Sequence, residues 1–330
     1  MARICFFARV KDPSVFERVE FYAQDLRILR DLGHEVIVAS RGRSLVAADA
    51  YFCWWWTWAF VPLAFATVLR RPVIITGVFD EWMFDQRPLV QRLLLRLALR
   101  ASKANVFVSR LELRTVPSRF HTVAPSYAPC IVESAVYRPG ANHRSRTVLT
   151  VAWLHSENAE RKGIPNILRA AAIVRRRAPD IRFILVGEKG SGYPALQRLA
   201  SELGLSSTLE FRGIVSLEEK VALMQDCGVY LQPSKFEGFG LAVLEAMACG
   251  APVIASRAGA LPEVVGDSGV LLDDPTPEVI AAAVCDLFEN VDAATDLSRR
   301  AQARAKSQFS YDRRREALRS VIDQTLDGGL

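Results

Sequence analysis

The stretch Pro233-Ser-Lys-Phe-Glu-Gly-Phe-Gly-Leu-Ala-Val-Leu-Glu-Ala-Met-Ala-Cys-Gly250 holds the residues best suited to chemistry. Glu237 stands just before a glycine-flanked turn, and Glu245 follows eight residues later in a segment of helical character. Gly238 and Gly240 have no side chain, so the backbone there lets a ligand come close. A helix beginning near Phe239 turns unpaired N–H groups and roughly half a positive charge toward that ligand, which suits a diphosphate. A carboxylate beside a phosphate repels it, so Glu237 and Glu245 are read as acceptors for hydroxyls on separate parts of one elongated molecule. One diphosphate with hydroxyls at both ends describes a nucleotide sugar. A lone Glu-x7-Glu reads as two surface carboxylates. Here the apolar run Val229–Leu231 ahead of the turn and Gly250-Ala-Pro-Val-Ile-Ala-Ser256 behind it agree with the glycines in marking a site.

Such a turn needs a strand before it and a helix after it, and the whole chain is built that way. Short apolar runs at Arg3–Ala8, Glu35–Ala39, Val73–Thr76 and Asn105–Val108 read as strands. Helical spacing covers Phe16–Leu32, ended by Gly33, and the region Leu89–Ser102. Prolines at 125, 129 and 139 loosen the pattern over Thr122–Arg146, which reads as a linker. Strands then return at Thr147–Ala152, Arg182–Val186, Thr208–Phe211, Val229–Leu231, Pro252–Ala255 and Val270–Leu272. Helices fall near Ile164–Arg177, Pro194–Leu203, Leu217–Asp226 and Phe239–Cys249, and Pro277–Leu326 reads as helical throughout. The expected fold is α/β: two tandem Rossmann-like doubly wound domains, 1–140 and 141–330, facing a cleft at the carboxyl ends of their strands. The last helix packs on the second domain or crosses back to the first.

Composition narrows the function classes. With 330 residues, half of them apolar, the chain can bury two cores and is not disordered. Six cysteines without a CxxC pair read as buried reduced thiols, and the four histidines lack metal-ligand spacing. Tyr51–Leu69 runs nineteen residues without a charge. Asp49 just before it, the interruption at Pro62 and the strand-like first residues argue against a membrane span. Residues 1–140 carry 19 Lys and Arg against 12 Asp and Glu, whereas 141–330 carry 23 against 24. The excess of base therefore lies in the first half, where it suits anionic lipid or an acidic acceptor, or is simply a solvated arginine-rich surface.

The second half resembles the retaining glycosyltransferases of family four, which have the two-domain GT-B fold. The likeness rests on the Glu-x7-Glu piece with Gly-Phe-Gly and on Lys162-Gly163, Ile184-Leu-Val-Gly187, Phe211-Arg-Gly-Ile-Val215, Glu245-Ala-Met-Ala-Cys-Gly-Ala-Pro-Val253 and Gly259-Ala-Leu-Pro-Glu263, in order over most of 147–290. It implies that Glu237 contacts the donor sugar and Glu245 holds the ribose hydroxyls. Gly238, Phe239, Gly240 and Leu241 would form the phosphate turn, with the amides of Gly240 and Leu241 on the distal phosphate. Lys162 would pair with the diphosphate and offset leaving-group charge, and Val215 would meet the base through its backbone. The same resemblance implies a metal-independent, hexosyltransferase-like enzyme without a cofactor, in which the nucleotide diphosphate sugar is a substrate.

Trp153 stands where the family usually has Arg, and Arg161 beside Lys162 is the candidate substitute, with a solvent-exposed arginine as the alternative. The linker has Cys130-Ile131 where the family has Asn-Gly. The first half is less similar: Lys11-Asp-Pro-Ser-Val-Phe16 replaces a glycine pair. Where the family often has a pocket histidine, Gly77-Val-Phe-Asp80-Glu81 places Asp80, either a ligand for a sugar hydroxyl or a helix cap or loop carboxylate. Trp54, Trp55, Trp56, Trp58 and Phe60 suggest a surface for a glycan or lipid-linked acceptor, with peripheral association at an anionic membrane; a buried core and a soluble small-molecule acceptor are the other readings. The expected setting is cytoplasmic, at the inner membrane face, in cell-envelope polysaccharide or glycan synthesis, without nucleic acid. The rivals are a non-catalytic nucleotide-sugar-binding or scaffolding member of the fold and a nucleotide-sugar epimerase. Gly187-Glu-Lys-Gly-Ser-Gly192 has its glycines in the wrong order for a dinucleotide loop.

Overall fold

The computed structural model describes residues 1–140 and 144–327. It divides into two units: Met1–Ile131 with the segment from Tyr311 onward, and Val132–Ser310. The division falls ahead of residue 140, and linker residues 141–143 lie outside the described residues.

The first unit contains β1 (Arg3–Phe7), β2 (Glu35–Ala39), β3 (Ala50–Trp54), β4 (Val73–Gly77), β5 (Ala104–Phe107) and β6 (Pro125–Tyr127). They pair in parallel in the order β2-β1-β3-β4-β5-β6. Strand order reverses between β1 and β3. The inner strands β3, β4 and β5 are buried along their whole length, so they read as apolar runs broken only by Thr76 and Asn105 rather than as alternation.

The second unit contains β7 (Ser145–Val151), β8 (Arg182–Val186), β9 (Leu209–Gly213), β10 (Cys227–Gln232), β11 (Val253–Ser256) and β12 (Val270–Leu272). Their order is β12-β11-β10-β7-β8-β9, again all parallel. The reversal comes between β7 and β10, where ligands sit in doubly wound sheets. Helix Ile164–Arg177 supplies Ile167, Leu168, Ala171 and Val174 to the core under this sheet.

Four local expectations change. The helix expected over 16–32 is two, Val15–Arg18 and Glu20–Asp31, separated at an extended Val19. The expected linker contains β6 and the start of β7. The helical end is three pieces, Pro277–Glu289, Val291–Gln308 and Tyr311–Asp327. Asn290 starts the second of them by accepting from the Ala293 amide at 3.0 Å. The uncharged run 51–69 is β3, a tight turn at Trp56–Trp58 and a nine-residue helix, Phe60–Val68. Pro62 does not interrupt that helix. It lies in the first turn, where a missing N–H breaks no ladder bond. No helix among the described residues is long and apolar enough to cross a membrane. All six cysteines are buried, and none forms a disulfide.

The expected aromatic surface is split: Trp54 and Trp56 are interior, Trp55 is half-buried and Trp58 is 42% exposed. Trp54 and Trp56 are fully buried, and their indole N–H groups donate to Asp25 Oδ2 at 2.9 Å and Asn105 Oδ1 at 2.7 Å. Trp55 donates to Tyr22 Oη at 2.6 Å. Asp25 also takes Arg314 of helix Tyr311–Asp327 in a two-pronged ion pair, at 2.6 and 2.8 Å, with both side chains buried. The remaining Arg314 nitrogen, Nη1, donates to the carbonyls of Ala128 and Pro129.

Candidate active site

The site residues of the second unit meet at the carboxyl end of β10. Gln232 closes that strand, and the loop Pro233–Gly240 follows. Lys162 and Gly163 sit between helices Ser156–Arg161 and Ile164–Arg177. Gly163 has φ +71°, and a Cβ there would lie 2.4 Å from the Pro233 carbonyl, so a glycine is what lets this turn reach the loop. The Lys235 amide donates to the Arg161 carbonyl at 2.7 Å, which fastens the two segments together.

Glu237 is nearly buried, and its Oε1 is crowded. Gln232 Nε2 donates to it at 2.9 Å and Ser234 Oγ at 3.0 Å. Lys162 Nζ lies at 2.5 Å and Arg161 Nη1 at 3.4 Å. Gln232 is oriented in turn by Tyr230, whose hydroxyl donates to its Oε1 at 3.0 Å. All four contacts fall on one oxygen, which leaves Oε2 without a hydrogen bond among the described residues. Burial pulls the Lys162 ammonium below the ordinary lysine range, opposed by the charge and hydrogen bond of Glu237 and, more weakly, by the charge of Glu245.

Glu245 is buried in helix Leu241–Ala248, with a cation on one oxygen and a hydroxyl on the other. Lys220 Nζ donates to Oε2 at 3.0 Å, and Tyr137 Oη donates to Oε1 at 3.2 Å. The Lys220 ammonium also lies 5.1 Å from the Tyr137 ring centroid. Neither Lys220 nor Tyr137 is marked by a local motif. Tyr137 lies 108 residues from Glu245, and only the fold brings them together.

The helix starts at Leu241, two residues later than expected, with Gly240 as its N-terminal cap at φ +98°. The Gly240 carbonyl takes the amides of Val243 and Leu244, so those of Leu241 and Ala242 stay outside the ladder at the positive end of the helix. Gly238 is half-buried beside them. Phe239 has its side chain in the core, edge-on to Phe309 at 5.8 Å, so only its backbone faces the turn. Val215 lies half-buried in the loop between β9 and helix Leu217–Asp226.

Trp153 follows β7 and is 67% exposed. Asn158 joins it to the site: its Nδ2 donates to the Trp153 carbonyl at 2.5 Å, and its Oδ1 accepts from Arg161 Nη2 at 2.7 Å. Arg161 also donates to the Phe236 carbonyl at 2.9 Å, so it is tied into the Glu237 loop rather than free in solvent.

Asp80 belongs to the first unit, in a left-handed turn at φ +55° after β4. Its amide donates to Glu112 Oε1 at 2.8 Å, and that of Phe79 donates to Oε2 at 3.0 Å. Its own carboxylate lies 4.0 Å from Arg87 Nη2. Burial raises the Glu112 carboxyl to about 8, against the pull of those two amides. Glu112 holds the Asp80 turn, and nothing in the sequence near Asp80 points to it.

The description of glycosyl transferases group 1 matches residues 139–304. A GDP-mannose-dependent alpha-(1-6)-phosphatidylinositol monomannoside mannosyltransferase of Mycolicibacterium smegmatis is 30% identical over 77% of this chain and 72% of its own. This chain belongs to the group 1 glycosyl transferases. A D-inositol 3-phosphate glycosyltransferase of Paenarthrobacter aurescens is 33% identical over 56% of this chain and 48% of its own. The chain spans about half the length of the first two curated relatives. In fold it is similar to the sucrose-phosphate synthase of Thermosynechococcus elongatus, with TM-score 0.84, 16% identity and 100% of both chains covered. For this group 1 member, the two Rossmann-like units are those of the GT-B fold.

Proposed function

We propose that this protein transfers a sugar, with retention and without a metal, from a nucleoside diphosphate sugar to a glycan or lipid-linked acceptor. The observation that carries this reading is the open side of Glu237. Its Oε1 is saturated by Lys162, Arg161, Gln232 and Ser234, and its Oε2 is available to a sugar hydroxyl. The amides of Gly240 and Leu241, with that of Ala242 beside them, suit the distal phosphate, and Glu245, oriented by Lys220 and Tyr137, suits the ribose hydroxyls.

Lys162 then neutralises charge gathering on the departing diphosphate. Arg161, fixed by Asn158 and the Phe236 carbonyl, takes the place vacated by the arginine replaced at Trp153. Asp80 receives an acceptor or donor hydroxyl from the Glu112-held turn. A lipid-linked acceptor at the inner membrane face, in cell-envelope glycan synthesis, is supported by the phosphatidylinositol monomannoside in the name of the M. smegmatis relative. A non-catalytic sugar-nucleotide binder is the second reading, favoured by the exposed Trp153 alone. Incubation of the purified protein with UDP- and GDP-sugars, with chelator present, separates the two. Release of nucleoside diphosphate, accelerated by acceptor, is expected. Tight nucleotide binding without release would leave only the binder.

A further inference from the structure

The helix Leu89–Ala101 of the first unit has two apolar sides. Leu95, Ala98 and Leu99 face inward and are buried. Leu89, Val90, Leu93 and Leu97 are 62%, 66%, 53% and 52% exposed. At about 100° per residue these four occupy one arc of roughly 100° on the outer side. A lone exposed leucine is ordinary, but a row along one helix, with exposed Trp82 in the preceding turn, is a patch that asks for a partner.

Charge decides which partner. The helix contains Arg92, Arg96 and Arg100 and no Asp or Glu. The carboxylates just before it are engaged: Arg119 pairs with Glu81 at 3.0 Å and Asp85 at 2.5 Å, and Arg87 lies 4.0 Å from Asp80. The Arg96 guanidinium lies 5.3 Å from the Phe84 ring centroid. Among the described residues, none of the three helix arginines forms an ion pair. A second copy docked face to face would set these arginines against their counterparts. A surface of anionic headgroups over acyl chains complements both the arginines and the leucines.

We propose that the outer face of helix 89–101 docks on an anionic lipid bilayer, its leucines at the acyl boundary and its arginines at the headgroups. Trp54 and Trp56 of the tryptophan cluster are interior and do not contribute to this surface. The inference rests on the lipid-linked acceptor reading above and gives it a location. Vesicle binding requires no turnover, so the two fail separately.

The test is flotation of the whole protein with phosphatidylglycerol-containing vesicles and with phosphatidylcholine vesicles, across a salt series. Binding to the anionic vesicles alone, weakened by salt, is expected. Arg96→Gln with Arg100→Gln should weaken it on the order of 30-fold, from about a factor of five per charge. Leu93→Gln with Leu97→Gln should weaken it on the order of 10-fold or more. As a measurement independent of these losses, Leu93→Cys carrying an environment-sensitive dye should shift to the blue on anionic vesicles; the native thiols are all buried. No dye shift, equal binding to both vesicle types, or a Leu93/Leu97 variant that binds like wild type but changes the monomer–dimer equilibrium would each overturn the proposal.

Discussion

Each unit contains a buried ion pair, and the two pairs are finished differently. In the first unit Arg314 spends its nitrogens on Asp25 and on two backbone carbonyls, and Asp25 also accepts from Trp54. No valence is left for a ligand. In the second unit Lys162, Arg161, Gln232 and Ser234 crowd one oxygen of Glu237 and leave the other open. A closed pair holds an element in place. An open pair at a strand-order reversal is arranged to receive something. Burial and charge alone do not tell them apart; the count of satisfied atoms does.

The sharpest way to break the comparison is to remove a member of the closed pair. Arg314→Ala strands a buried Asp25 carboxylate and should cost about 3–5 kcal/mol in chemical denaturation, with nucleotide affinity of the folded fraction unchanged. A loss of less than 1 kcal/mol would mean the pair is not structural. Lys162→Ala in the open pair should lower turnover roughly 100-fold and donor affinity much less. Equal losses in both would make Lys162 a ground-state binder. Because burial lowers its pKa, the alkaline limb of the turnover profile should fall below the ordinary lysine value of 10.5. Glu245→Ala should weaken free nucleoside diphosphate by about 1.5–3 kcal/mol in calorimetry; unchanged affinity would remove it from the ribose.

A pH-dependent effect is expected at Glu112, whose carboxyl is held near 8 by burial against an ordinary 4.5. The folded state keeps a proton there that the unfolded chain gives up, so this group's contribution is full below 4.5 and is lost as pH rises through about 8. Glu112→Gln should flatten that part of the melting-temperature profile. An unaltered slope would assign it to other groups.

Much of the second unit is legible in its sequence, because its strands are short apolar runs between turn residues and its helices keep their period. Ile164–Arg177, Leu217–Asp226, Arg182–Val186 and Val270–Leu272 match their apolar patterns end to end. Lys162, Glu237 and Glu245 stand out by motif. In the first unit β3 merges with the following helix into one uncharged run, β6 hides among prolines, and helix Arg110–Arg119 carries Pro117 inside it. Lys220, Tyr137, Glu112 and Arg314 escape for another reason. Their partners lie 25, 108, 32 and 289 residues away, and pairings of that span leave no local period.

The span of 289 residues between Arg314 and Asp25 has a consequence for synthesis. On the ribosome, at roughly 5–20 residues per second, Asp25 emerges on the order of 15–60 s before its cation. By the end of that interval the sheet residues of the first unit and every residue of the second have been made, but the guanidinium that neutralises the Asp25 carboxylate has not. The order of folding should therefore run against the order of translation, with the later unit maturing first and the earlier one waiting for the last helix to arrive.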